Sequence, residues 1–144
     1  MNIKKTLFIA LILFISFNGY SQTIFGKWKT IDDETGNEKS IVEIYKAENG
    51  KAYAKILQLL EAGKEDSICD NCDGAKKDQP IKGMEIIDGL TKDDDEWNSG
   101  NILDPKTGKE YKCILELEEM DKLKVRGYIG FSLIGRTQYW YRLK

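Results

Sequence analysis

Cys69-Asp70-Asn71-Cys72 sets two thiols three positions apart and is the one motif in this chain loaded for redox or metal chemistry. A redox pair of the thioredoxin type sits at the start of a helix in a βαβ unit, where the helix N-terminus lowers a thiol pKa. Here the pair lies in a polar, glycine-bearing stretch between strand-like segments, and acidic neighbours such as Asp70 raise a thiol pKa. In an oxidising compartment the expected state is a Cys69–Cys72 disulfide that pins a loop. A thiol-disulfide redox role for the pair, metal binding, and pairing with Cys113 are the alternatives. Cys113 alternates with Tyr111, Leu115 and Leu117, so it reads as a small buried hydrophobe.

Histidine is absent. That removes the commonest general base, the commonest zinc ligand, and every serine or cysteine triad built on imidazole. Three thiols without histidine make a poor exported zinc site. The acidic run Asp93-Asp94-Asp95-Glu96 matches no calcium-loop spacing and reads as a solvated hairpin tip. No catalytic, metal or cofactor set is therefore expected, and the balance leans away from an enzyme. Arg126, Tyr128, Arg136, Tyr139 and Tyr141 collect near the C-terminus and, with Trp97 and Trp140, form a candidate surface for an anionic or planar ligand or a partner. The rival reading is that they shield sheet edges and the exterior of a barrel.

Lys4 and Lys5, the apolar run from Leu7 to Ile15, and Gly19-Tyr20-Ser21 with small residues near its end read as a secretory signal, with cleavage expected after Ser21. The apolar run is short for a membrane span. No cysteine follows it to accept a lipid, so the expectation is a soluble exported protein, periplasmic or secreted, with residues 22–144 as a single domain. Without the two lysines of the signal, 20 basic residues stand against 24 acidic ones, a net charge of −4. That balance offers no basic face for a nucleic acid, and no later segment is long and apolar enough to cross a membrane.

The elements that must position these residues are strands. Ile24 to Thr30, Ser40 to Tyr45, Ala52 to Leu60, Met84 to Leu90 and Trp97 to Leu103 are short runs rich in branched and aromatic residues, separated by polar turns. Glu61 to Lys82 reads as one long loop holding both Cys69 and Cys72. Asp104-Pro105-Lys106-Thr107-Gly108-Lys109 is the clearest hairpin turn, with proline to fix φ and glycine to turn it positive. Beyond it, Tyr111, Cys113, Leu115 and Leu117 alternate with Lys112, Glu116 and Glu118. Leu123, Val125, Gly127 and Ile129 then alternate with Lys124 and Arg126, and Arg136 to Leu143 closes the chain. Seven or eight antiparallel strands with no helix-length amphipathic stretch predict an all-β fold, a small up-and-down barrel of about eight strands, because closure removes exposed edges. A two-sheet sandwich is the competitor.

Gly26-Lys27-Trp28 opens the first strand and Trp140-Tyr141-Arg142 ends the last. This resembles lipocalins and related calycin barrels, in which a G-x-W and a terminal arginine meet at the closed end with guanidinium stacked on indole. The resemblance implies that Trp28 and Arg142 close the barrel; otherwise each is merely a strand residue. Trp97, Gly100, Ile102, Asp104-Pro105, Gly108-Lys109, Tyr111, Leu123-Lys124-Val125-Arg126-Gly127 and Gln138-x-Trp140-x-Arg142 are similar to the exported bacterial family catalogued as domain of unknown function 2147. That resemblance covers most of residues 25–143 and implies no particular activity. Its members often carry cysteines in the last two strands, where this chain has Tyr128 and Arg136.

The functional expectation is an exported, non-enzymatic barrel that binds a small apolar or amphipathic molecule, or an envelope partner, through its mouth and the cysteine loop. The rivals are a structural or stress-related envelope protein with a solid barrel, and a redox protein using Cys69 and Cys72.

Overall fold

The structure is a computed structural model and describes residues 22–144. The expected signal segment and its cleavage point lie outside the described residues. Eight strands follow one another: β1 (Gly26–Ile31), β2 (Glu38–Lys46), β3 (Ala52–Leu59), β4 (Glu85–Asp93), β5 (Glu96–Asp104), β6 (Lys109–Glu119), β7 (Lys122–Tyr128) and β8 (Gly135–Arg142). Each pairs antiparallel with the next, and β8 returns to β1 through Trp28↔Arg142, Lys29↔Tyr141 and Thr30↔Trp140. That last ladder decides between barrel and sandwich: the sheet closes on itself and leaves no free edge.

Alternation along the strands fills the interior. Trp28, Val42, Ile44, Ala54, Ile56, Ile87, Cys113, Leu115, Leu123, Val125 and Trp140 form one buried cluster. Each large apolar side chain buried there contributes roughly 1.5–3 kcal/mol relative to exposure. Two polar side chains share the interior, Thr30 and Ser40, and they satisfy each other through a 2.7 Å hydrogen bond.

Because every strand reverses the last, the segments 47–51, 94–95 and 120–121 fall at one end together with both ends of the described chain. Segments 32–37, 60–84, 105–108 and 129–134 gather at the other, which is the mouth. The long loop between β3 and β4 is more ordered than its polarity implies. It holds a single 3₁₀ turn at Gly74–Lys76, a bridge between Ile68 and Pro80, and buried Cys69, Cys72 and Ile81. It lies over the outer wall, so Ile86 and Leu103 are buried although they alternate with inward Ile87 and Ile102. One expectation fails here: Ile129 does not continue the inward face of β7. The ladder ends at Tyr128, the chain turns through Gly130 at φ +73°, and Ile129 is exposed.

Candidate functional site

The closed end is built around Arg142. Its guanidinium lies 4.2 Å from the centre of the Trp28 ring and donates to the carbonyls of Thr23 at 2.7 Å, Phe25 at 3.0 Å and Met120 at 2.9 Å. Trp28 in turn donates from Nε1 to the Ile24 carbonyl at 2.8 Å. Gly26 has φ +125°, and a β-carbon there would sit 3.2 Å from the Arg142 guanidinium, so the glycine of G-x-W makes room for the arginine. Phe25 meets Trp97 edge-on at 5.4 Å and completes this plug.

The candidate surface of aromatic and basic residues is not one surface. Trp97 and Trp140 are buried, which removes both from it: each faces the interior, Trp97 opposite Leu115 and Trp140 opposite Thr30 and Leu123. The Trp140 Nε1 proton has no hydrogen-bond acceptor among the described residues. The remaining residues divide by strand parity. Arg136 and Gln138 share the inner face of β8 with Trp140, whereas Arg126, Tyr128, Tyr139 and Tyr141 point outward. Lys122 caps the outer face of Tyr139 at 4.5 Å.

At the mouth, Arg136 pairs with Asp33 from the β1–β2 segment, contacts Glu34 at 3.3 Å, and shares Asp33 with Gln138 at 3.2 Å. The hydrogen bond from Arg136 holds the Asp33 carboxyl below its ordinary pKa and outweighs desolvation. Asp33 escaped the sequence reading because its partner stands 103 residues away.

The cysteine loop forms the other wall of the mouth. Cys69 and Cys72 are joined by a disulfide with Cα atoms 5.3 Å apart, and both are buried. The loop docks on the β5–β6 turn: Asn71 donates from Nδ2 to the Lys106 carbonyl at 2.9 Å, and Cys69 Sγ lies 3.2 Å from the Pro105 carbonyl oxygen. Gly108 is the contact point. Its φ is +72°, and a β-carbon there would lie 1.9 Å from the Asn71 carbonyl oxygen. Between this loop, the turn and Ile129 runs a groove of about 480 Å³ lined by Cys72, Asp73, Lys76, Leu103, Gly108, Lys109, Glu110 and Ile129. Its lining combines apolar Leu103 and Ile129 with Asp73, Lys76, Lys109 and Glu110, a mixture suited to an amphipathic molecule, and its volume is within the size range of small-molecule sites. A smaller cleft of about 160 Å³ lies on the outer wall beside Arg126 and Ser132.

Cys113 stands apart from the disulfide, free and buried on β6, and burial pushes its thiol up to about 12. Among the described residues, no group of three or more His, Cys, Asp or Glu is placed to hold a metal ion.

Comparison with known proteins agrees with this geometry. Residues 26–142 match the family described as an uncharacterized protein conserved in bacteria, DUF2147. The chain belongs to this family. In this DUF2147 protein the matched span begins at Gly26 and ends at Arg142, the two residues that meet at the closed end. A solved structure, protein HP1028 from Helicobacter pylori, described as belonging to the lipocalin family, superposes with a TM-score of 0.74 at 20% identity. The match covers 85% of this chain and 84% of that one. At that identity the likeness establishes the lipocalin-like barrel and nothing finer. No curated protein matches the chain.

Proposed function

We propose that this protein is an exported, non-enzymatic barrel that binds a small apolar or amphipathic molecule on its outer wall beside the mouth, in the groove between the cysteine loop and the β5–β6 turn. The groove carries the proposal. Leu103 and Ile129 offer apolar contact while Lys76, Lys109, Asp73 and Glu110 ring it with charge, so a ligand with a hydrocarbon body and a polar head satisfies both. The closed half of the barrel is filled by Trp28, Leu115, Leu123 and Trp140, which leaves the groove beside the mouth as the place for a ligand. Export rests on the first 21 residues of the sequence.

A redox role for Cys69 and Cys72 is disfavoured, since both are almost fully enclosed, at 0% and 2% exposure, and a thiol-exchange centre needs access. In this reading the disulfide holds one wall of the groove. The test has two arms. Protein purified without detergent is extracted and examined by mass spectrometry for a co-purifying small molecule. The same protein is titrated with the fluorescent amphiphile 1-anilinonaphthalene-8-sulfonate. Saturable one-to-one binding that weakens in Ile129→Asp supports the groove. An empty extract together with no saturable binding, or binding indifferent to Ile129→Asp, would refute it.

A further inference from the structure

Segment 129–134 joins β7 to β8 at the mouth and carries four apolar side chains that project into solvent: Ile129 is 64% exposed, Phe131 76%, Leu133 91% and Ile134 68%. One exposed leucine is ordinary on a protein surface. Four apolar side chains within six consecutive residues make a contiguous patch, and such patches mark interaction sites. The turn at Gly130 faces open space, since a β-carbon added there would meet nothing within 4 Å.

Two further features indicate what receives it. First, the tip closes part of its own backbone. The Ile134 N–H donates to the Phe131 carbonyl at 3.0 Å, and the Ser132 carbonyl accepts from Arg126 Nε at 2.8 Å. Each internal hydrogen bond lowers the cost of taking that backbone out of water. Second, the base of the tip is cationic and aromatic. Arg126 also donates to Thr137 Oγ1 at 2.9 Å and makes no ion pair within 4.0 Å among the described residues, although Glu96 and Glu116 line the cleft beside it, and Tyr128 stands next to it opposite Lys112. The order from tip to base is hydrocarbon, then tyrosine and cations without a direct ion-pair partner among the described residues. That order matches the order of a membrane interface, where apolar groups enter the acyl region and tyrosine, arginine and lysine sit at headgroup depth.

We infer that the β7–β8 loop docks this protein on an anionic phospholipid bilayer, with Phe131, Leu133 and Ile134 entering the interface and Arg126 and Lys112 facing the phosphates. A hydrophobic groove on a partner protein would accept the same apolar side chains. It gives no reason for the unpaired guanidinium behind them, whereas a plane of phosphates does. The inference shares only Ile129 with the groove proposal: Phe131, Leu133 and Ile134 do not line that groove.

The barrel is complete within residues 26–142, so residues 22–144 suit the test and avoid the apolar run of the first 21. This protein is sedimented with vesicles of phosphatidylcholine alone and of phosphatidylcholine mixed with phosphatidylglycerol, at low and high salt. Binding is expected on the mixed vesicles, weaker at high salt. The double substitution Phe131→Ser with Leu133→Ser should lower the partition coefficient by roughly tenfold or more. Met120→Ser, which removes an exposed apolar side chain at the opposite end, should leave it unchanged. Because all three positions are exposed, the folded barrel should survive, and circular dichroism checks that it does. The inference is overturned if the wild-type protein ignores both vesicle types, if the double variant binds as well as the wild type, or if Met120→Ser is equally damaging. It is also overturned if the loop instead pairs two copies, seen as a vesicle-independent dimer that the double variant abolishes.

Discussion

Arg142 and Trp28 stack with the guanidinium 4.2 Å from the ring centre, at positions directly paired across the β1–β8 seam that closes the barrel. The arginine thus ties the last strand to the first through the ladder and through the Thr23 and Phe25 carbonyls just before β1, and its bond to the Met120 carbonyl ties it to the β6–β7 turn. Removing it by Arg142→Ala deletes the cation–π contact and leaves carbonyls unpaired, so unfolding free energy should fall by about 2–4 kcal/mol. Arg142→Lys retains the charge but cannot reach all three carbonyls, and should lie in between. Urea denaturation of the two variants measures both; equal stability of Arg142→Ala and wild type would show the plug to be energetically idle.

Gly108 combines two demands that Gly36 separates. Both have positive φ, +72° and +75°, but only Gly108 is pressed by another segment, at 1.9 Å from the Asn71 carbonyl oxygen. Gly36→Ala should therefore cost about 1 kcal/mol of backbone strain, while Gly108→Ala must also displace the cysteine loop. Hydrogen exchange of the amides of Cys69 and Asp78, which bond to Gln79 and Cys69 carbonyls, should accelerate in Gly108→Ala and stay unchanged in Gly36→Ala.

Cys113 is 1% exposed and its thiol is pushed up to about 12 by burial. Iodoacetamide at pH 8 should leave it unlabelled in the native protein and label it quickly in denaturant, because the thiolate is the reactive form. Rapid native labelling would place Cys113 on the outside of β6 and reverse that strand's inward face.

The Asp33–Arg136 pair predicts an acid-sensitive mouth. The hydrogen bond from Arg136 lowers the Asp33 pKa in the folded state, so its contribution is fully present above the unfolded carboxylate value of about 4 and is lost as pH falls through the lower folded value. Asp33→Asn should flatten that part of the stability profile and leave the neutral and alkaline range parallel to wild type. A variant whose acid limb overlays the wild-type curve would remove Asp33 from the account. The partly exposed pair makes the effect small and weaker in salt.

The sequence by itself pointed to an all-β barrel of seven or eight strands, the inward face of β6 and the β5–β6 turn, and its calycin resemblance implied the meeting of Trp28 with Arg142. These are legible because they follow from period-two alternation, from proline and glycine chemistry, and from a family pattern whose residues stand near the chain ends. Alternation alone did not decide closure, since it suits a sandwich equally well; the ladder that pairs Trp28 with Arg142, residues nearly the whole described chain apart, decides it. The sorting of Trp97 and Trp140 into the core was not legible either, since an aromatic residue's type does not say which side of a closed sheet it faces. Only the tertiary structure brought Asp33 to Arg136, laid the cysteine loop over Leu103, and left Phe131 and Leu133 in solvent. Each of these depends on which loops share an end of the barrel, and strand direction around the closed sheet decides that, not any local run of residues.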